Sequence, residues 1–409
     1  MTSPATELAY AAMGDLLNFE QALTAILGRA RPLPTEPVAI AAAHGRVLAE
    51  PASATTDLPP FDSSAMDGFA VRTADTPGEL RVVAHGAAGR PAPRVLGPGE
   101  AIGIATGAVV PAGADAVIPV EYVVDHDNSI EIGEPVAHGA NIRPRGGDLR
   151  RGDPVVEPGV RLGPAQVGAL AAGGVADVVC SRRPRAAVVT TGTELRPPGE
   201  ALEPGQIYEA NGLILAAQLE SAGAEVQTQA VVADDEEAHR SALEQGLGAD
   251  VLVTSGGVSV GPHDLVRRVE AELGVEEVFW RVAVKPGKPI AFGVRGETLV
   301  FGLPGNPVSA LVCFELFVRP AILALQGLAE PGPRFTPGRL ARTVRRTGRD
   351  EFVRARSSVD AEGVTVLDPL PGQESHMIAA AAAADALVHV PRGEGELPAG
   401  AAVRYLPLS

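Results

Sequence analysis

Between residues 183 and 328 the apolar positions of the chain switch back and forth between two periods. AAVVTTG, EVQTQAVV, DVLVTSGG and LVFGLPG are short runs rich in apolar and β-branched residues, as buried strands require. NGLILAAQLESAG, DEEAHRSALEQGL, HDLVRRVEAELG and NPVSALVCFELFVRPAILAL instead place apolar residues at helical spacing. Strands and helices taking turns predict a parallel sheet covered by helices. Upstream, Phe19, Leu23, Ile26 and Leu27 share one helical face, and Asn18 with Gln21 has the spacing of a capping box. From about residue 53 to 150 the text turns to short valine-rich runs broken by Gly and Pro, which read as a β-rich insert. Short strands return in the tail with EFVRARSSV, GVTVLDPL and AAVRYLPL, and AAAAAAD at 379–385 reads as a packed segment rather than a linker. The expected class is α/β plus β, multidomain. Residues 16–52 and 151–182 form a discontinuous N-terminal and linking domain, 53–150 the insert, 183–330 the α/β domain and 331–409 a small C-terminal β domain.

Composition narrows the kind of molecule. A chain of 409 residues, 45% of them hydrophobic, exceeds one core of ordinary size and can fill several, so a soluble, globular, multidomain protein is expected. Its formal charge of −16 opposes a phosphate backbone, and no nucleic-acid partner is expected. Screening confines each charge to roughly 8 Å at physiological salt, so a local basic cluster still serves a small anion. Cys180 and Cys313 both lie in apolar segments, which fits buried thiols in a reducing compartment and offers neither a disulfide framework nor metal-ligand spacing. The first residues lack the pattern of a signal peptide, and no stretch reads as long and apolar enough to cross a membrane. A cytoplasmic protein without a membrane partner is expected.

Candidate chemistry gathers where three strands of the α/β domain end. TTGTEL carries Glu194, TSGGVSVGPHD carries Ser255, Gly256, Gly257, Ser259 and Asp264, and GLPGNPVSA carries Pro304, Gly305, Asn306 and Pro307. In open parallel sheets the ligand crevice lies beyond the carboxyl ends of the strands. Glycines let backbone N–H groups approach an anion, and a following helix points its positive end at the same place. One such loop reads equally well as an ordinary strand-to-helix turn, whereas three on one edge favour a nucleotide or phosphate site. No P-loop is present, because the GK of VKPGKP is followed by proline.

FWRVAVKPGKPIAF places Arg281, Lys285 and Lys288 around a proline-stiffened turn, either an oxyanion site or a solvated basic loop; the fixed turn favours binding. Arg143 and Arg145 in NIRPRGGD form a second cationic cluster beside Asp148. Carboxylates near a bound anion need a cation between them, and magnesium, which takes one or two protein carboxylates together with phosphate oxygens, meets that need. Glu194, Asp234 and Asp264 each follow a strand and are the candidate ligands, although Asp234 with Glu237 reads equally as a helix cap. The turn PPFDSSAMDGFAVR concentrates Asp62, Ser63, Ser64 and Asp67, and a tight turn alone would account for Asp67-Gly68.

FDSSAMDGFAVR, ATGAVVPAGADAVI, NIRPRGGD, TTGTEL, GQIYEANG, TSGGVSVGPHD, VAVKPGKP, GLPGNPVSA and QESH, in this order, resemble the molybdopterin molybdenumtransferases of the MoeA type over nearly the whole chain. That family is similar to the E domain of gephyrin. The resemblance implies insertion of molybdate into adenylylated molybdopterin with release of AMP, in the last step of molybdenum cofactor biosynthesis, and a divalent metal. It also implies that Asp67, Thr106, Arg143, Asp148, Glu194, Asp234, Asp264, Lys285, Pro304, Pro307 and Ser375 belong to the site. The chain departs from the family pattern at Ser63, Gly147 and Arg281. The last replaces an ammonium by a planar fork.

With the loops and the basic turn, the candidate set becomes Asp67, Thr106, Asp148, Glu194 and Lys285 for catalysis. Arg143, Ser255, Gly256, Gly257, Ser259, Arg281, Lys288, Pro304, Gly305, Asn306, Pro307 and Ser375 are candidates for binding substrate, and Glu194, Asp234 and Asp264 for holding magnesium. The resemblance further implies a homodimer and transient contacts with the adenylyltransferase and with recipient molybdoenzymes. Two rival readings remain: an adenylyltransferase, which resembles the α/β domain alone, and a non-catalytic scaffold similar to gephyrin.

Overall fold

The computed structural model describes residues 16–233, 235–257 and 265–408. They divide into two compact units, one holding the described residues up to Glu36 and from Ser181 onward, the other Pro37–Cys180. Helix α1, Phe19–Leu27, is the first helix of the larger unit among the described residues. Its capping box forms as predicted: the Gln21 N–H donates to Asn18 Oδ1 at 2.8 Å, and the Asn18 N–H to Gln21 Oε1 at 3.0 Å. Two donors that a helix start leaves open are thereby satisfied. Phe19 lies 5.6 Å from the ring of Phe317 and 5.4 Å from that of Phe352. Residues 16–36 therefore pack with the α/β domain rather than with residues 37–52.

In the smaller unit, Val38, Leu48, Ala52, Val156, Leu162 and Cys180 share one buried cluster with helix α2, Pro164–Ala172. The β-rich insert is a six-stranded sheet of β1 Gly68–Val71, β2 Gly78–Gly86, β3 Glu100–Ile104, β4 Ala116–Pro119, β5 Val124–Asp125 and β6 Ser129–Ile132, in the order β4-β1-β3-β2-β6-β5.

The larger unit carries the predicted alternation: β7 Arg185–Thr191, α3 Asn211–Ser221, β8 Glu225–Val232, α4 Glu236–Gly246, β9 Val251–Ser255 and α5 Leu265–Glu272. There follow β10 Glu276–Trp280, β11 Val284–Lys285, β12 Ala291–Arg295 and β13 Thr298–Leu303. The sheet order is β8-β7-β9-β13-β12-β10, with the first four strands parallel and the last two pairings antiparallel. The sheet is thus mixed where a parallel one was expected. Only Gly296 and Glu297 join β12 to β13, and a parallel return needs a crossover of a dozen or so residues.

Helix α6, Pro307–Cys313, continues through a π turn at Phe314–Val318 into α7, Arg319–Leu325. This 19-residue run is long and apolar enough to cross a membrane by length and composition, which corrects the expectation that no stretch is. Because 78% of its apolar window is buried within the fold, it serves as the core helix of the larger unit. Its one acid, Glu315, is satisfied by Gln218 Nε2 at 2.7 Å and Arg319 Nε at 2.6 Å.

Five C-terminal strands, β14 Thr336–Leu340, β15 Asp350–Val359, β16 Thr365–Pro369, β17 Ala386–Val390 and β18 Ala402–Pro407, bond in a closed ring. Strand β11, which lies between β10 and β12 in the chain, is not part of the α/β sheet and joins β15, pairing Val284 with Asp350 and Lys285 with Glu351. Both cysteines are buried thiols outside any disulfide, as expected, and burial pushes the Cys313 thiol well above its usual pKa.

At the amino-terminal ends of the parallel strands, Asp250 staples the sheet. Its Oδ2 accepts from Arg182 Nη1 at 2.6 Å and from the Arg185 N–H at 2.8 Å, and its Oδ1 from Arg182 Nη2 at 2.8 Å. Burial works against the charged carboxylate, but the bonds from Arg182 and then Arg185 outweigh it and hold the Asp250 pKa far below the usual range. A depressed folded pKa stabilises above the unfolded value of about 3.9, and that contribution fades as pH falls toward the folded value. Asp250→Asn is expected to lose about 2–3 kcal/mol at pH 7. The gap between wild type and variant should narrow below about pH 4, as denaturant titrations across pH would show.

Candidate functional site

Strands β7, β9 and β13 end level, since Thr190 pairs with Ser255 and Ser255 with Leu303. Their loops consequently meet at one edge of the sheet, around a cleft of about 850 Å³. Thr191, Glu194, Ser255, Gly256, Gly257 and the run Pro304, Gly305, Asn306, Pro307 all line it, so the three predicted loops converge. Ser259, Asp264 and Asp234 lie outside the described residues. TTGTEL does not run straight into the helix predicted at NGLILAAQLESAG. Leu195–Arg196 instead pairs with Ile207–Tyr208 in a short parallel ribbon, and α3 begins only at Asn211.

The glycines of the second loop are fixed by geometry. Gly256 and Gly257 take φ of +96° and +65°, and a Cβ on Gly256 would stand 2.7 Å from Thr191 Oγ1 and 2.8 Å from Thr191 O. Their backbone turns back on itself, and the Gly256 N–H donates to Leu303 O at 3.2 Å. The N–H groups of Gly257, Gly305 and Asn306 meet no acceptor among the described residues. Beside the start of the long helix at Pro307, they form a cradle suited to phosphate oxygens.

Ser375 reaches the same edge from the C-terminal ring. Asn306 Nδ2 donates to Ser375 Oγ at 2.9 Å, and the Val308 N–H donates to Ser375 O at 3.1 Å. The loop that carries Ser375 is wound around Arg354, which is only 2% exposed. Its guanidinium donates to Gly372 O at 2.7 Å, Met377 O at 3.0 Å and Glu374 O at 3.2 Å. Gln373 closes the loop by donating Nε2 to Arg354 O at 2.9 Å.

The basic turn is partly neutralised. Lys285 Nζ lies 3.2 and 3.3 Å from the two oxygens of Glu351, and Arg281, at φ 72°, stacks 3.7 Å from the Trp280 ring centre. Lys285 and Lys288 are exposed, but of this turn only Pro289 lines the cleft. The N-cap of α4 among the described residues is Asp235, its side chain accepting from the Ala238 N–H at 2.9 Å.

Asp67, Thr106, Arg143 and Asp148 belong to the smaller unit. There Asp67 Oδ1 accepts the Thr106 N–H at 2.7 Å, and Arg143 pairs with Ser63, so SSAMDG, ATGA and NIRPRGGD meet. Ser63 and Ser64 are buried in this turn, and Asp62 Oδ1 accepts the Arg145 N–H at 2.7 Å. Arg145 also grips Asp57 through Nε at 2.5 Å, while Arg143 and Asp148 stay exposed.

Among the cleft residues that escaped the sequence reading are Glu209 and Asn211. Both stand in GQIYEANG just before a helical period, where a short polar residue reads as a simple cap. Among the described residues no three His, Cys, Asp or Glu gather in one group. Among the described residues the cleft offers oxygen donors, including Glu194, Glu209 and Thr191, and no His or Cys, a set that fits a hard cation such as magnesium.

Comparisons with known proteins cover almost the full chain. Residues 17–174 match the family described as MoeA N-terminal region (domain I and II), 187–324 the probable molybdopterin binding domain, and 337–408 the MoeA C-terminal region (domain IV). The molybdopterin molybdenumtransferase of Haemophilus influenzae is 35% identical over 96% of this chain and 99% of its own. Molybdopterin molybdenumtransferase 2 of Mycobacterium tuberculosis is 36% identical over 97% of this chain and 100% of its own. A crystal structure of the molybdopterin biosynthesis MoeA protein from Pyrococcus horikoshii superposes with a TM-score of 0.79 at 34% identity, covering 96% of this chain and 99% of that one.

Proposed function

Because the chain belongs to the molybdopterin molybdenumtransferase family, we propose that it inserts molybdate into adenylylated molybdopterin and releases AMP, in the last step of molybdenum cofactor biosynthesis. The observation that carries this reading is the cleft at the level ends of β7, β9 and β13, with its glycine-lined N–H cradle. Matches on both sides of the α/β domain, at 17–174 and 337–408, speak against an adenylyltransferase built on that domain alone.

In this reading the N–H groups of Gly257, Gly305 and Asn306 hold phosphate oxygens of the substrate, and Ser375 fixes the Asn306 side of the cradle. Lys285 and Lys288 draw the anions toward the cleft mouth. Phosphoryl transfer rests chiefly on positioning and on stabilising charge, so these donors act without a covalent adduct. Glu194, with Asp234 and Asp264, would hold magnesium, which when bound offsets the negative charge of phosphate and molybdate. The working form is a homodimer in the cytoplasm, in which a second copy brings Asp67, Thr106, Arg143 and Asp148 to the cleft. Transient contacts with the adenylyltransferase and recipient molybdoenzymes pass the cofactor on.

The test is AMP release from adenylylated molybdopterin, with and without molybdate and magnesium, alongside reconstitution of a cofactor-free molybdoenzyme. Release that depends on molybdate, together with reconstitution, is the expected result. Folded protein that does neither would leave a scaffold as the better reading.

A further inference from the structure

The cleft has a wall that none of its three loops supplies. Asn211, the first residue of α3, turns its side chain toward the loops: Nδ2 donates to Ser255 Oγ at 2.9 Å and to Gly305 O at 2.7 Å. A carbonyl oxygen only accepts, so the nitrogen of the amide must face Gly305, and the orientation follows from chemistry. Ser255 Oγ donates onward to Pro304 O at 3.3 Å. One side chain thus ties the end of β9 to the loop after β13. Its own base is fixed too. Glu209, 5% exposed, accepts the Gly212 N–H at 2.7 Å, and the Glu209 N–H donates to Arg196 O at 2.8 Å.

We infer that Asn211 is a positioning residue for the reaction: it clamps Ser255 to Gly305 and so sets the spacing between the N–H donors on the two loops. The identity of the substrate rests on the proposed function, whereas the clamp rests on the bonds alone. Strand pairing stops at Ser255 and Leu303, and the Gly256 N–H adds one last backbone bond to Leu303 O; past that bond, side chains keep the two loops at their distance. Asn211→Ala removes the tie. Asn211→Asp keeps the shape but sets an acceptor against Gly305 O, a conflict that protonation of the new carboxyl relieves by restoring one donor.

Both variants are made in the full chain. Hydrogen exchange followed by mass spectrometry is expected to speed up in peptides covering 255–257 and 303–308 and to stay unchanged in the C-terminal ring. Affinity for adenylylated molybdopterin, each variant compared with wild type at the same pH, is expected to fall about tenfold at pH 8, as losing a bond of this kind implies. For Asn211→Asp the deficit shrinks by pH 5, and for Asn211→Ala it does not. Unchanged exchange in both loops, or wild-type affinity in Asn211→Ala at pH 8, would overturn the clamp. Wild-type protein that fails to bind adenylylated molybdopterin at either pH would overturn the functional reading instead, with the exchange data still deciding the clamp.

Discussion

Alanine at position 256 is expected to cut AMP release at least a hundredfold while most of the fold survives. The residue sits at φ +96°, where an L side chain is strained, and its new Cβ would meet Thr191 Oγ1 at 2.7 Å and Thr191 O at 2.8 Å. Backbone oxygen cannot swing aside as a side-chain tip can, so the loop itself must move. Strain and overpacking together cost about 2–4 kcal/mol. A shift of about 1 Å in a positioned group is enough to lower a rate about a hundredfold. Gly199→Ala is the matched control, because Gly199 has the same φ of +96° with nothing within 4 Å. Parallel measurements of AMP release and denaturant unfolding on the two variants separate backbone strain from the clash. Equal activities would show that the close approach to Thr191 does not matter.

Arg354→Met is expected to have the largest effect on stability, a loss of about 3–5 kcal/mol. The guanidinium is buried and its bonds go to three main-chain carbonyls, those of Gly372, Glu374 and Met377. Methionine fills much of the volume but leaves Gly372 O without a donor and takes one donor each from Glu374 O and Met377 O, which keep only the N–H groups of Met377 and Ala381. The loop would open, and Ser375 would leave Asn306 and Val308, so activity should fall along with the unfolding midpoint. Arg354→Lys, which keeps the charge and a single donor group, should fall between the two in unfolding titrations. A midpoint in Arg354→Met equal to that of wild type would refute the winding of the loop around this side chain.

Much of this architecture was legible in the sequence because local chemistry and fold agree. Asn18 and Gln21 form the capping box their spacing promised, and the three strand-end loops meet because β7, β9 and β13 are neighbours in register. The failures have physical causes. FWRVAVKPGKPIAF looked like one basic turn, yet Trp280 ends β10, Lys285 ends β11 and Ala291 starts β12. Short strands in antiparallel or borrowed pairings carry too little periodicity to be seen. Lys285 looked free because its partner, Glu351, is remote in sequence. Asn211 was passed over for a related reason: its acceptors, Ser255 and Gly305, are contributed by other strands, and a side chain beside a helix start usually serves that helix.

Strand β11, lent by the α/β domain to the C-terminal ring, bears on how such a chain can be recombined over generations. The sequence divides into successive matched regions, but Phe19, Phe317 and Phe352 share one core, and Lys285 and Glu351 share one ladder. A crossover between residues 326 and 336 would therefore hand each descendant half of a core bred for a different other half. The chain passes between the compact units only twice, after Glu36 and after Cys180. Those two junctions bound a piece with its own buried cluster, the stretch a lineage would exchange as a cassette.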